Sequence, residues 1–467
     1  MTSLALSDAD IERAGNQLTA LLRSFEQSLD ARPVLPPVDR AVLAELRVRP
    51  FPLEGIGIDQ LFQDIAAKVV PNSTTIAHPR YLAYVLGPPN GIAPFAEAVA
   101  AALNQNCNFW QLSPAASVIE RKVISWLAEL FGFSKQAGGI ITSGGSMATL
   151  VAMATAIREK FPGDFRQTGL QSLAAPLVVY TSEEAHRCVE KSAAILGLGL
   201  DNVRKIPVDS EFRMRADLLA AAVRQDREAG KQPFCVVAAA GTINTGAIDP
   251  LDDIAEICAA QNLWLHVDGA YGALFVLSPG IKDQLLACSR ADSIALDPHK
   301  LLFAPLEAGC VIVRDREKLR HAFGFSASYI PDQQDPLFTN FMDYGPQLSR
   351  SFKAFKIWCS LQVFGVNAFV AAAEHMLEIA RYLGEKIRGD AQFEPMAPVK
   401  LSAVCFRLRN ASDAENQRIL TRLIDEGTAL LGPVRIGGRF GIRACITNYR
   451  TTREDIDLIL DRLRQLG

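Results

Sequence analysis

Closely spaced cysteine pairs are missing from this sequence. Its nine cysteines are scattered, and no two of them form a CxxC motif. A disulfide framework or a structural zinc site needs closer and more regular spacing. The sequence therefore predicts no metal site and a reducing location, the cytoplasm. The cysteines lie at positions 107, 188, 235, 258, 288, 310, 359, 405 and 445.

A strong charge imbalance and long apolar runs are missing as well. The formal net charge is −3 and the charges are interspersed, so we expect neither nucleic acid nor an anionic membrane as partner. No uncharged apolar stretch of about 18 residues occurs, so no membrane-spanning helix is expected. The first residues lack the basic start and the apolar stretch of a signal peptide.

The chain has 467 residues, more than the roughly 250–300 that one core usually holds, so we expect several domains. Residues 1–77 have helical apolar spacing broken by prolines and predict a helical arm. Within 78–365, apolar runs of strand length alternate with helical stretches. This pattern predicts an α/β domain with a mainly parallel sheet covered on both faces. Residues 366–467 predict a small α/β domain.

Polar residues follow several of the predicted strands, at the sheet edge where ligands bind in such folds. The segment TSGGSMATL (142–150) joins a strand to a helix. Its two glycines allow close backbone approach, and the helix N-terminus offers N–H groups to a phosphate. Taken alone, the same letters describe an ordinary strand–helix turn with a serine cap.

Three further residues suit a pyridoxal phosphate site, although each has a structural alternative. Asp268 in HVDGAYG could pair with a pyridinium nitrogen or cap a turn. Lys300 in DPHKLLFAP could lie among apolar residues, where loss of water favours the neutral amine that binds the cofactor, or it could extend its ammonium group to solvent. His186 in SEEAHRCVEKSA could stack on a flat ring or fill a structural role.

Taken together and in this order, the motifs closely resemble the group II pyridoxal-phosphate-dependent amino-acid decarboxylases, a family with aromatic, glutamate, cysteine-sulfinate and diaminobutyrate members. The resemblance runs from HPRYLAYVLG through FWQLSPAASVIE, TSGGSMAT and DPHKLL to RACITNYRTT, over three quarters of the chain. It implies the type I, aspartate aminotransferase-like transferase fold with a seven-stranded sheet. It also implies a homodimer with its active site at the subunit interface.

The resemblance assigns roles to residues of this chain. Lys300 is the Schiff-base lysine, Asp268 binds the pyridinium nitrogen and His186 stacks on the cofactor ring. The phosphate and the ring pocket are assigned to Gly145, Ser146, His299, Thr242 and Ala270. The cofactor implied is pyridoxal 5'-phosphate, which withdraws electrons from the bond that breaks at Cα.

Tyr329 in ASYI matches the catalytic-loop tyrosine that protonates Cα in this family. Members that form aldehydes have phenylalanine there, so Tyr329 favours simple decarboxylation to the amine and CO2. Two other hypotheses remain open at this point. One is an aminotransferase or an aldehyde-forming oxidative deaminase on the same fold, and the other is a binding protein without activity.

The substrate is the least defined feature of the sequence. Tyr81 and Trp110 supply aromatic surface, and Ser349 occupies a position where some plant members bind a phenolic ring. Arg443 matches an arginine found in members with acidic and with aromatic substrates. Arg443 does not discriminate between these substrates, whereas the aromatic surface and Ser349 favour an aromatic L-amino acid. Glutamate, aspartate, cysteine sulfinate and 2,4-diaminobutyrate remain alternatives.

Overall fold

The computed structural model describes residues 4–161, 163, 165–325 and 337–467, and these form alternating helices and strands. The helices are α1 Asp8–Gln27, α2 Arg40–Val48, α3 Ile58–Asp64, α4 Ala93–Leu103, α5 Pro114–Leu130, α6 Gly145–Lys160, α7 Phe165–Thr168, α8 Cys188–Ile195, α9 Ala216–Glu228, α10 Leu251–Ala260, α11 Pro279–Leu286, α12 Pro298–Leu301, α13 Glu317–Phe323, α14 Lys353–Gly389, α15 Asp413–Asp425 and α16 Arg453–Leu466. The strands are β1 Tyr81–Leu82, β2 Gly138–Thr142, β3 Leu177–Ser182, β4 Val203–Ile206, β5 Gln232–Ala239, β6 Trp264–Asp268, β7 Ser293–Leu296, β8 Gly309–Val313, β9 Phe393–Pro395, β10 Ala403–Leu408, β11 Leu430–Ile436 and β12 Arg439–Cys445.

The chain folds into two compact units. One comprises the chain up to Tyr84 together with Lys386–Met396 and Phe406–Gly467. The other comprises Val85–Glu385 and Ala397–Cys405.

This division differs from the predicted ranges 1–77, 78–365 and 366–467. The arm belongs with the C-terminal residues, because the amide of Val34 donates to Gly427 O at 3.1 Å. Helix α14 bends at Gly365, where φ is 67°, but it does not end there and continues to Gly389. Residues 366–385 therefore belong to the unit that contains the large sheet.

The second unit contains a seven-stranded sheet in the order β2-β8-β7-β6-β5-β3-β4. Only β8 runs against its neighbours, so the predicted mainly parallel sheet is confirmed. The central strands β5, β6 and β7 are short apolar runs buried almost throughout, as expected for a sheet covered on both faces. Their carboxyl ends therefore meet at one edge, where polar side chains can collect.

The other sheet has the order β1-β11-β12-β10-β9. Within the first unit, β11 and β12 pair antiparallel, and β1 pairs in parallel with β11 through Tyr81 and Leu430. Helices α15 and α16 begin at capping boxes, formed by Ser412 with Glu415 and by Thr452 with Asp455. Four strands of this sheet and both helices lie within 366–467, the range that predicted a small α/β domain, whereas β1 lies outside that range.

Of the described helices, α14 alone meets the length and apolarity that a membrane span would need. Helices of ordinary protein cores meet the same criterion. The expectation that the chain has no membrane partner stays a prediction.

Candidate active site

A cavity of about 320 Å³ opens at the carboxyl ends of the parallel strands in the second unit. Its walls come from the segments that follow β2, β5, β6 and β7 and from the start of α8. All eight residues predicted to hold the cofactor line this cavity. They are Gly145, Ser146, His186, Thr242, Asp268, Ala270, His299 and Lys300.

One wall of the cavity is the N-terminus of α6, which begins at Gly145. A Cβ atom at Gly145 would lie 2.7 Å from the Cβ of Ala270 and 3.2 Å from Asp297 Oδ2. The first N–H groups of a helix lack partners within the helix and carry its positive dipole end. Because Gly145 has no side chain, the first N–H groups of α6 are accessible from the cavity and suit the phosphate of pyridoxal phosphate.

Asp268 ends β6 and presents its carboxylate to the cavity. Oδ1 accepts the amide of Ala270 at 3.2 Å, and Oδ2 accepts the Cys188 thiol at a sulfur–oxygen distance of 3.5 Å. Burial, with a further contribution from the Asp268 charge, raises the pKa of Cys188 strongly. The thiol therefore stays protonated and acts as the donor to Asp268. A carboxylate oriented in this way suits the protonated nitrogen of a pyridinium ring.

Lys300 lies on α12, a single turn directly after β7. Its Nζ is 2.7 Å from Oδ2 of Asp297, whose side chain is 3% exposed. Oδ1 of Asp297 has no hydrogen-bond partner among the described residues. A buried carboxylate oxygen without a partner is costly, so this corner of the cavity fits an additional polar group such as the cofactor.

Two histidines face the same cavity in different environments. Nδ1 of His299 accepts the amide of Ala308 at 3.1 Å, and Nε2 lies 3.6 Å from Asp297 Oδ2. Burial lowers the pKa of His299, so the ring is neutral near pH 7. His186 is exposed, and its Nδ1 accepts the amide of Cys188 at 3.2 Å. The exposed ring of His186 leaves a face available for stacking on a flat ligand.

Thr242 shapes the loop that follows β5. Its Oγ1 accepts the amide of Ala247 at 3.1 Å and lies 3.0 Å from Oγ1 of Thr245. These bonds fold the loop back on itself, so that Thr242 and Ile243 form part of the cavity wall. The side-chain oxygen of Thr242 thus has a structural task in addition to its predicted place beside the cofactor ring.

The predicted substrate residues lie on other elements. The ring of Trp110 stacks on Phe338 with centroids 4.2 Å apart, and Ser349 lines a second, more open cavity. Neither is among the described residues that line the cofactor cavity. Tyr81 and Arg443 belong to the first unit, where Arg443 Nη2 donates to Ala83 O at 3.1 Å. The substrate roles of these four residues stay predictions, and Tyr329 lies outside the described residues.

The cavity residues that were not predicted include Asp297, Cys188 and Glu307. Asp297 was part of the DPHK motif, and its position three residues before Lys300 was the available signal. Cys188 follows His186 by two residues, but nothing in the sequence placed it beside Asp268, eighty positions away. Glu307 lies at the cavity wall, 3.5 Å from Lys353, with no motif to mark it.

Comparisons with known proteins agree with this geometry. A family model described as the pyridoxal-dependent decarboxylase conserved domain matches residues 44–409. An aromatic-L-amino-acid decarboxylase of Bacillus atrophaeus is 32% identical over 100% of this chain and 97% of its own length. A histidine decarboxylase of Mus musculus is 30% identical over 95% of this chain and 68% of its own length. The crystal structure of Oryza sativa TDC with PLP and tryptamine superposes with a TM-score of 0.92, at 26% identity over 99% of each chain.

Gly145→Ala should weaken the binding of pyridoxal phosphate by about 10- to 100-fold, because an added methyl group would contact Ala270 and displace the start of α6. The dissociation constant can be measured from the visible absorbance as the cofactor is titrated into cofactor-free protein. Gly15→Ala is the control, since no heavy atom lies within 4 Å of a Cβ at that position. Equal affinity in both variants would contradict the assignment of the α6 N-terminus to the phosphate.

Proposed function

This chain belongs to the pyridoxal-dependent decarboxylases, and we propose that its substrate within this family is an aromatic L-amino acid. The chain is a carboxy-lyase that depends on pyridoxal phosphate and converts an amino acid into an amine and CO2. The observation that carries the aromatic assignment is the match along the whole chain to a relative named for aromatic substrates. The aromatic surface predicted from Tyr81 and Trp110 points the same way.

The residues of the cavity have distinct tasks in this reaction. Bound pyridoxal phosphate supplies an electron sink for the bond that breaks at Cα. Asp268 would hold the proton on the ring nitrogen, and the N–H groups at the start of α6 would bind the phosphate. Lys300 supplies the amine that binds the cofactor, and its ion pair with Asp297 fixes where that amine lies before binding.

The aromatic assignment predicts amine formation from tyrosine, tryptophan, phenylalanine or dihydroxyphenylalanine, with little from glutamate, aspartate, cysteine sulfinate or 2,4-diaminobutyrate. Purified holoenzyme would be incubated with each amino acid in turn, and the amine and aldehyde products quantified by mass spectrometry. Histidine belongs in the panel because relatives of similar identity are named histidine decarboxylases. Amine from acidic substrates, diaminobutyrate or histidine alone would refute the aromatic assignment and leave the reaction class intact. A 2-oxo acid product would favour the aminotransferase alternative.

We further propose that Tyr329 donates the proton that Cα acquires after CO2 has left, as the family resemblance implies. Tyr329→Phe should then lower amine production at least about tenfold, because a phenyl ring has no proton to donate, and in air it should raise the fraction of aldehyde, whose formation consumes O2. Both products would be measured on the best substrate, with Tyr382→Phe on α14 as the control. An unchanged ratio of amine to aldehyde in Tyr329→Phe would exclude this role.

A homodimer is also proposed, in a reducing cytoplasm. No disulfide joins any cysteine in the part of the chain that the structure describes, in keeping with a reducing location.

Phe95, Val99 and Leu103 repeat every four residues on α4 and are 47–52% exposed, so they form an apolar stripe along one side of the helix. A stripe of this kind is typical of a protein interface.

The homodimer predicts a mass in solution of about twice 50.8 kDa, measured by analytical ultracentrifugation. Val99→Glu should shift the population toward monomer, because it places a charge within the apolar stripe. Ala101→Glu is the matched control, since it adds the same charge to an exposed position on another side of α4. A monomer in the unaltered protein with full activity would contradict the proposal.

A further inference from the structure

A buried ion pair lies at one edge of the seven-stranded sheet. It joins Glu120 on α5 to Arg350, just before α14, and their side chains are 0% and 2% exposed. In the part of the chain that the structure describes, neither residue lines the cofactor cavity. A pair buried to this depth adds little net stability, because both charges lose their water. Its place in the fold therefore needs another explanation.

The pair binds the backbone of β2, the outermost strand on this side of the sheet. Oε1 of Glu120 accepts the amide of Ile141 at 3.0 Å, and Nη2 of Arg350 donates to Ile141 O at 2.9 Å. The two side chains thus supply the acceptor and the donor that a neighbouring strand would otherwise supply. The position of Ile141 is consequently fixed by two charged groups that are themselves buried.

Ile141 is close along the chain to the start of α6. Only three residues separate it from Gly145, where the helix begins. Within this link, Oγ1 of Thr142 donates to Gly144 O at 3.2 Å and accepts the Gly144 amide at 3.4 Å. Because the link is short and hydrogen-bonded within itself, a shift of Ile141 moves the helix N–H groups that are assigned to the phosphate.

Arg350 connects β2 to a second segment as well. Its Nη1 donates to Cys107 O at 2.8 Å, its amide donates to Asn106 Oδ1 at 3.0 Å, and its carbonyl accepts the Cys107 amide at 2.8 Å. A guanidinium group can bind several acceptors at fixed angles, whereas a lysine ammonium acts as a point charge. One guanidinium therefore sets the distance between β2 and the segment that contains Cys107.

We propose that Glu120 and Arg350 are positioning residues for the cofactor, because their ion pair holds Ile141 and, through it, the start of α6. The two residues act as one unit, since loss of either leaves the other charge buried without its partner. This inference goes beyond the proposed function and does not depend on which amino acid is the substrate.

The test compares two variants that alter the pair in different ways. Glu120→Gln removes the charge and keeps the size, whereas Arg350→Lys keeps the charge and loses the branched guanidinium. Each should raise the dissociation constant of pyridoxal phosphate at least about tenfold, because a displaced helix start no longer matches the phosphate. The phosphorus magnetic resonance of the bound cofactor should shift for the same reason. Both are measured below the melting temperature of each variant, with cofactor titrated into cofactor-free protein.

Asp226→Asn is the matched control. It breaks the ion pair of Asp226, whose side chain is 8% exposed, with Arg204 on β4 at the opposite edge of the same sheet. This variant should lower the melting temperature but leave the cofactor affinity and the phosphorus resonance unchanged. The comparison separates a loss of stability from a loss of position.

A further measurement uses the unaltered protein and stands even if a variant fails to fold. Coupling between two sites is reciprocal, so cofactor binding should slow hydrogen exchange at the amides of Ile141 and Cys107 more than at the amides of β4. The proposal is overturned if either variant binds the cofactor as tightly as the control does, or if exchange at Ile141 slows no more than at β4. These readouts involve the cofactor alone, so their failure would leave the aromatic assignment standing.

Discussion

Close backbone contacts among β2, β8 and the loop between β2 and α6 determine the geometry of the cofactor cavity. A Cβ atom at Gly309, where β8 starts, would lie 2.4 Å from the Cα of Gly144, so no side chain fits between this strand and the loop after β2. The same holds for Gly139 on β2, where a Cβ atom would lie 2.0 Å from Val311 O on β8. Because these contacts fix where β2 ends, they also fix where α6 begins. The helix N-terminus is consequently held against Ala270 and Asp297, on the far wall of the cavity.

The charges of the cavity follow from this packing. Asp268 is half-buried and Asp297 is buried, each at a strand end, and a buried carboxylate needs a donor or a cation. Asp297 has the ammonium of Lys300, whereas Asp268 has a thiol and a backbone amide. These are weaker partners than a cation, and so Asp268 retains the capacity to bind a protonated ring nitrogen.

Much of this arrangement could be predicted from sequence, because it depends on local patterns. Apolar runs of strand length predicted β5, β6 and β7. The polar residues at or after their ends, such as Asp268 and Lys300, indicated the sheet edge where ligands bind. Strand β4, Val203–Ile206, carries no such apolar run, because it lies at the sheet edge and two of its four residues are charged. The contact between Cys188 and Asp268 could not be predicted either, since it depends on how α8 packs against β6 in three dimensions.

The same distinction explains why the reaction class is better defined than the substrate. The residues predicted to hold the cofactor lie at or shortly after the ends of strands, and the hydrogen-bonded register of one sheet holds those ends in place. Two of the four residues predicted to select the substrate lie outside the strands, Trp110 in a short turn and Ser349 before α14. Loops accept substitutions that a buried strand end does not. A chain can therefore diverge to about 30% identity, keep its decarboxylation chemistry and still differ in substrate. The relatives of this chain show that pattern, since proteins 32% and 30% identical to it are named for aromatic amino acids and for histidine.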